Sequence, residues 1–215
     1  DTIVDSYTRT SLIGGQVKTP TLSVLFHKQD DYMGGAGIVS SHLKAAGAKV
    51  YFTTVLGNDK HKKFVETTCK KEGITLNAII DNERPTTNKN VIISDNYRLL
   101  KVDTVENRSI SKSIVDTIVK SISNNKSDTV IFSDFRHGIF NQATINIFTN
   151  IIEDGVLKVA DSQVASRWGN ICDFKNFDII MPNEREARFS LADQDSSIGV
   201  LTAKLRDENN FANLI

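Results

Sequence analysis

Short apolar runs rich in β-branched residues alternate with helical patterns along most of this chain, and that alternation restricts the fold more than any other feature. Val50 to Leu56 is one such run, followed by a helix through Phe64, Val65 and Cys69 that Gly73 can end. Ile110, Ile114, Val115, Ile118, Val119 and Ile122 form one stripe of a helix, and a buried strand is expected from Asp128 to Phe132. A helix around Ile145, Phe148 and Ile152, strands at Leu157 to Ala160 and Phe177 to Met181, and helices from Glu184 and from Ser197 continue the series. Repeated βα units of this length predict an α/β fold, a mostly parallel central sheet covered by helices.

Two segments break the rhythm. Thr8 to Tyr32 is rich in Thr, Val, Leu and Ser, with a turn signal at Gly14-Gly15 and Pro20, and suits short antiparallel strands. Arg84 to Asp103 reads as a hairpin in which Val91-Ile92-Ile93 and Leu99-Leu100 flank Ser94-Asp95-Asn96. Together these two segments, near 8–32 and 84–103, predict one small β-sheet attached to a single main domain over 1–215. The preceding residues, Asp1 to Tyr7, read as a polar, turn-like stretch. Between the two segments, Gly34-Gly35-Ala36-Gly37 leads into a helix through Ile38, Val39, Leu43 and Ala46, with Gly47 as its stop.

Composition narrows the choice of partner. Lys and Arg number 26 and Asp and Glu number 26, so no net field recruits nucleic acid or an anionic membrane surface, and a small molecule is the expected partner. Cys69 and Cys172 are far apart and lack metal-ligand spacing, which suits a reducing cytoplasm. No apolar run approaches the ~20 residues of a membrane span.

In open parallel sheets ligands bind at the carboxyl ends of the strands. Here those ends carry Gly57-Asn58-Asp59, Ser133-Asp134, Asp161-Ser162 and Pro182-Asn183-Glu184. Each polar residue alone reads first as a helix cap; four together favour a site. The glycine loop at 34–37 matches neither dinucleotide nor P-loop spacing, which disfavours a nicotinamide-dependent enzyme. Asn183 and Glu186, three apart at a strand-to-helix junction, suit either a capping arrangement or the ordering of a hydrated Mg²⁺ and phosphate oxygens.

In order and spacing these pieces resemble the ribokinase-like (PfkB-type) carbohydrate kinases, and within them the heptose-7-phosphate kinase branch and its adenylyltransferase-linked relatives. Asp1-Thr2-Ile3-Val4-Asp5-Ser6-Tyr7 looks like the segment after that family's first strand, and Gly34-Gly35-Ala36 like its sugar loop. Gly57-Asn58-Asp59 resembles the family's G-x-D turn, and Arg84-Pro85-Thr86-Thr87-Asn88-Lys89 with Leu99-Leu100-Lys101-Val102-Asp103 resembles two strands of the heptose branch. Ser133-Asp134-Phe135-Arg136-His137-Gly138 looks like its SDY-x-K-G turn, and Asn183 to Glu186 like the family's NxxE motif.

The resemblance implies a three-layer sandwich with a β-lid, ATP as co-substrate, Mg²⁺, and pairing with a second subunit through the lid. It assigns sugar contacts to Asp5, Gly34, Gly35, Ala36 and Asp134, a sugar phosphate to Lys89, and Mg²⁺ with phosphate to Asn183 and Glu186. Three positions depart from the pattern: Ile38 stands where an asparagine is usual, Val91 where an arginine is usual, and His137 where the heptose branch has lysine.

The chain opens at Asp1 without a methionine and stops at Phe211 to Ile215, which reads as a strand just beginning. Both ends are expected to be cut. The implied activity is ATP-dependent phosphorylation of a sugar or sugar-phosphate hydroxyl, with no catalytic residue in this chain, because the family's GAGD loop would lie beyond Ile215; the fragment itself is then expected to be inactive. The rival expectation is a sugar-binding module without catalysis.

Overall fold

The structure is a computed structural model that describes residues 1–13, 21–164 and 168–214. These residues form two compact units, one of residues 2–106 and one of residues 107–214 joined by Asp1.

The first unit runs β1 (Thr2–Leu12), β2 (Val24–Gly35), α1 (Ala36–Ala45), β3 (Tyr51–Leu56), α2 (Lys60–Glu72), β4 (Thr75–Ile80), β5 (Asn88–Ser94) and β6 (Tyr97–Thr104). The two irregular segments belong to one sheet, in the order β2-β1-β5-β6. Strand β1 runs antiparallel to β2 and parallel to β5, and β5 is antiparallel to β6. Strands β3 and β4 form a separate parallel pair. Val4, Met33, Phe52, Leu56, Val65, Cys69 and Ile74 pack into one core. Helix α2 ends on Gly73 at φ 72°, a left-handed position that glycine takes without a Cβ clash.

The second unit contains α3 (Lys112–Asn124), β7 (Thr129–Asp134), α4 (Gln142–Thr149), β8 (Leu157–Ser162), β9 (Ile179–Ile180), α5 (Glu184–Leu191), α6 (Ile198–Asn209) and β10 (Asn213–Leu214). Its strands are parallel, in the order β10-β9-β8-β7. Five phenylalanines fill its core. The Phe132 ring lies 5.3 Å from Phe140, 5.5 Å from Phe177, 6.3 Å from Phe174 and 6.4 Å from Phe148. Such pairs add about 0.5–1.5 kcal/mol each beyond the area they bury. The architecture is α/β with mostly parallel strands.

Two sequence expectations need correction, and one strand was not anticipated. Asp1 to Tyr7 is not a turn: from Thr2 it is the inner strand of its sheet. Thr2, Ile3, Val4 and Ser6 are all buried, so a polar-looking segment is a strand. Strand β4 went unread, although Ile74, Leu76 and Ala78 alternate with Thr75 and Asn77 in the pattern of a half-buried strand. The strand expected over Phe177 to Met181 contracts to Ile179–Ile180, because Phe177 is buried in the aromatic cluster ahead of it. Gly14-Gly15 and Pro20 lie outside the described residues.

Candidate functional site

The pairing of β1, β5 and β6 places charged side chains on one face. In register, Asp5 lies opposite Lys89, and Lys89 lies opposite Asp103. Residues opposite one another on paired strands project to the same side. Lys101, two positions before Asp103 on β6, joins them, and its Nζ lies 3.1 Å from Asp103 Oδ2. Burial pushes the Asp5 carboxyl above its ordinary range, with Lys89 and Lys101 opposing and Asp103 adding to the rise. Lys89 shifts the other way: burial and then Lys101 push its ammonium down, while Asp103 and Asp5 pull it back. The four side chains form an alternating, mutually dependent set.

The glycine loop meets this set at Gly34. A Cβ built on Gly34 would lie 2.2 Å from Asp5 Oδ2, so the absent side chain is the space the carboxylate fills. Gly35, at φ 55° and ψ −137°, precedes α1 in a conformation that favours glycine and supplies no side-chain cap. Helix α1 carries no acidic residue in its first turn. Its N-terminal N–H groups, from Ala36 onward, therefore begin a helix without a side-chain oxygen of their own.

Two other recognised motifs grip each other. Asp59 Oδ1 accepts from the N–H groups of His61 and Lys62, capping α2, while its Oδ2 accepts from Thr86 N–H at 2.8 Å. Thr86 Oγ1 in turn accepts from Gly57 N–H at 3.0 Å. A Cβ on Gly57 would lie 2.4 Å from Arg84 O. The G-x-D turn and the Arg-Pro-Thr segment thus interlock, a structural function for residues that sequence reading placed only at a strand end.

In the second unit, Asp134 is completely buried and its carboxylate is engaged within the protein. Arg136 N–H donates to Oδ1 at 2.7 Å, and Arg136 Nε and Ser162 Oγ donate to Oδ2 at 2.7 and 2.8 Å. Burial pushes the Asp134 carboxyl up, against Arg136 and the Ser162 hydrogen bond. Arg136, at φ 54°, reaches on to Asp173 at 2.6 Å. Asp1 Oδ2 holds the same turn from outside, accepting from the N–H groups of Phe135 at 2.9 Å and His137 at 3.2 Å.

Asn183 and Glu186 form a reciprocal capping box at the start of α5: Asn183 Oδ1 accepts from Glu186 N–H, and Glu186 Oε2 accepts from Asn183 N–H. The helix-capping alternative is therefore realised. Asp161 stands within electrostatic reach, its pKa raised by burial first and by Glu186 and Asp134 in addition. Among the described residues no group of three or more His, Cys, Asp or Glu side chains is placed to enclose a metal ion directly. The donors present are carboxylate and amide oxygens, a set that fits a hard cation retaining its own waters and does not fit a dehydrated one.

Of the residues singled out from sequence, the structure brings Asp5, Gly34 and Lys89 together, with Gly35 and Ala36 at the adjoining helix start; Asp134, Asn183 and Glu186 belong to the other unit. Asp103 and Lys101 were quoted only as part of a matching segment. Their signal was the two-residue spacing that places both on one face of a strand. Asp1 was passed over for Asp5, and nothing in its local sequence marks it as the holder of a turn more than 130 residues away.

Residues 3–213 match the model of the pfkB family carbohydrate kinases. The chain belongs to that family. Among curated pfkB relatives it is similar to the bifunctional protein HldE of Sulfurimonas denitrificans, 24% identical over 223 residues that cover 100% of this chain and 46% of that protein. HldE of Helicobacter pylori is 32% identical over 146 residues, covering 65% of this chain and 31% of that protein. The chain thus spans less than half the length of these relatives. Among solved structures, Escherichia coli phosphofructokinase-2 in complex with fructose-6-phosphate superposes with a TM-score of 0.76 at 12% identity, covering 99% of this chain and 70% of that one. Ribokinase from Giardia lamblia gives 0.70 at 14% identity, covering 97% of this chain and 68% of that one. At such identities the superpositions speak to the pfkB fold alone.

Proposed function

We propose that the protein containing this chain transfers the γ-phosphoryl group of ATP to a hydroxyl of a sugar or sugar phosphate, and that residues 1–215 supply much of its sugar-binding part. The observation that carries this reading is the seating of the Asp5 carboxylate in the space left by Gly34, beside the uncapped start of α1. A carboxylate accepts from sugar hydroxyls, and backbone N–H groups donate to them, so one small region offers both partners a polyol needs.

In this reading Asp5, Gly34, Gly35 and Ala36 orient the sugar and Lys89 meets any phosphate the sugar carries, while Asp134, in the other unit, holds its own turn. Mg²⁺, when bound through its waters near Asn183, Glu186 and Asp161, would neutralise charge on the transferred phosphoryl group. The chain's own contribution is orientation of the acceptor hydroxyl and exclusion of water, which dominate phosphoryl transfer. No residue of this chain is assigned as the base. Pairing with a second copy through the four-stranded sheet is part of the proposal: Phe26, Leu100 and Val102 are 60%, 53% and 45% exposed on the face opposite Asp5. A cytoplasmic location also belongs to it; no helix among the described residues is long and apolar enough to cross a membrane.

The test is ADP release by the full-length protein with Mg-ATP against hexoses, heptose 7-phosphates and nucleosides. Sugar-dependent release supports the kinase; sugar binding without release leaves a binding module.

A further inference from the structure

We infer that Tyr32, braced by Tyr7, is the platform on which the acceptor stacks, and that this contact makes the site select the closed ring of a sugar over its open chain. The inference rests on the sugar-site reading given above and deepens it.

The register of the four-stranded sheet carries it. Tyr32 of β2 lies directly opposite Asp5 of β1, so the two side chains rise on the same face with Cβ atoms about 4.5–5.5 Å apart. On its other side Asp5 faces Lys89. One cross-strand row thus presents an aromatic ring, a carboxylate and an ammonium, in that order.

Folding leaves much of this ring unused. Tyr32 and Tyr7 meet with centroids 5.7 Å apart and an interplanar angle of 76°, yet Tyr32 is still 53% exposed. An edge contact of this kind fixes the attitude of the rings without enclosing them. Farther along the same face, Arg9 lies opposite Lys28, and both reach Asp30, at 3.7 and 2.9 Å. A carboxylate, not the tyrosine ring, holds these two cations.

A closed sugar has two kinds of surface. Its hydroxyls project from the rim, where Asp5 can accept from them and Lys89 can donate to them. Its ring C–H groups carry partial positive charge and gather on a flat side, which the negative face of an aromatic ring attracts. An open-chain polyol offers the same hydroxyls and lacks the flat side. It can satisfy Asp5 and Lys89, but lying flat on Tyr32 would cost it the rotations of its chain.

The experiment is calorimetric binding of ring and open-chain partners to the full-length protein: D-mannose and D-mannitol, D-fructose and D-glucitol, sedoheptulose 7-phosphate and its reduced alditol. At least one ring member is expected to bind about tenfold or more tightly than its alditol. Tyr32→Ala should weaken that ring member about tenfold and its alditol less than about threefold, whereas Tyr32→Phe should keep the ratio, because the ring alone stacks. A residue that only held the sheet together, or only paired two copies, would weaken both members alike. If the alanine variant unfolds, saturation-transfer NMR on the parent gives a second route: irradiating its aromatic protons should reach the ring C–H protons of the bound sugar. Equal affinities in every pair, an unmoved ratio in folded Tyr32→Ala, a lost ratio in Tyr32→Phe, no saturation transfer, or no binding by any probe would each overturn the inference. ADP formation measured alongside separates the two readings. Ring-selective binding without ADP leaves the inference standing and removes the kinase; ADP formation with an unmoved ratio does the reverse.

Discussion

Lys89 of β5 and Asp103 of β6 face each other in register, and the same lysine faces Asp5 of β1 on its other side. Because one cation serves two carboxylates, the ionisation of Asp5 depends on residues nearly a hundred positions away. Burial holds the Asp5 pKa above its ordinary value, so its ionised form is disfavoured by folding. A carboxyl whose folded pKa is raised loses stability as pH rises from its unfolded pKa through its folded pKa. Asp5→Asn is therefore expected to melt at the same or a higher temperature than the parent at pH 7 while binding sugar at least about tenfold more weakly. Thermal unfolding and calorimetry on one preparation check both halves; a variant that melts well below the parent contradicts the first.

Gly34 provides a test of position without a change of charge. Gly34→Ala would put a methyl group where Asp5 Oδ2 now lies. The carboxylate must rotate away, so sugar affinity should fall by about tenfold or more, whereas a loop-tip alanine elsewhere costs little. Gly47→Ala is a useful control for fold: its Cβ meets nothing within 4 Å, although φ 95° makes it strained by about 1–2 kcal/mol. The control should lower stability and leave sugar affinity alone.

Asp59 is expected to matter for stability at mildly acidic pH. Burial raises its pKa, but the Thr86 and Lys62 N–H groups, the Thr86 hydroxyl and nearby His61 outweigh that and hold it below its ordinary value. A depressed carboxyl contributes stability above its unfolded pKa and loses it as pH falls through the folded one. Asp59→Ala should cost about 1–2 kcal/mol at pH 7 from the lost cap of α2, and more through the released Thr86. Denaturant unfolding at pH 7 and pH 3 checks the sign: the gap between parent and variant should narrow at pH 3.

Arg136 is expected to be the costliest single site outside the aromatic core. Arg136→Ala leaves Asp134, with no exposed side-chain surface, without its guanidinium partner and releases Asp173. Breaking one side of such a buried pair typically costs about 3–5 kcal/mol. The double substitution Arg136→Met with Asp134→Leu should recover a substantial part of it, which urea unfolding can measure. No recovery would mean that the turn, rather than the charge, is what the arginine supports.

Much of the α/β order was legible because it is local. The stripe from Ile110 to Ile122 needs only a 3.6-residue period, and Gly73 needs only its own backbone freedom to end α2. Motif order carried the family, since Gly34-Gly35-Ala36, Asp134 and Asn183 to Glu186 occur in a sequence and spacing that short fragments of each would not show. What local reading missed, β1 over Thr2 to Tyr7, was missed because Asp5 and Ser6 interrupt its apolar residues, and the Ser6 hydroxyl accepts from Asn88, a partner 82 residues away.

By itself, then, the sequence determined the alternation of elements, the residue types at each strand end, and membership of a family. Only the tertiary structure decided which of those residues are spoken for. Asp59 grips Thr86, Asp134 is enclosed by Arg136 and Ser162, Asn183 and Glu186 cap each other, and Lys89 is held between Asp5 and Asp103. The physical reason is that a charge or hydrogen-bonding group has a chemical identity in one dimension, whereas its partner, burial and net field arise from cross-strand register and chain closure, which no short stretch of sequence contains.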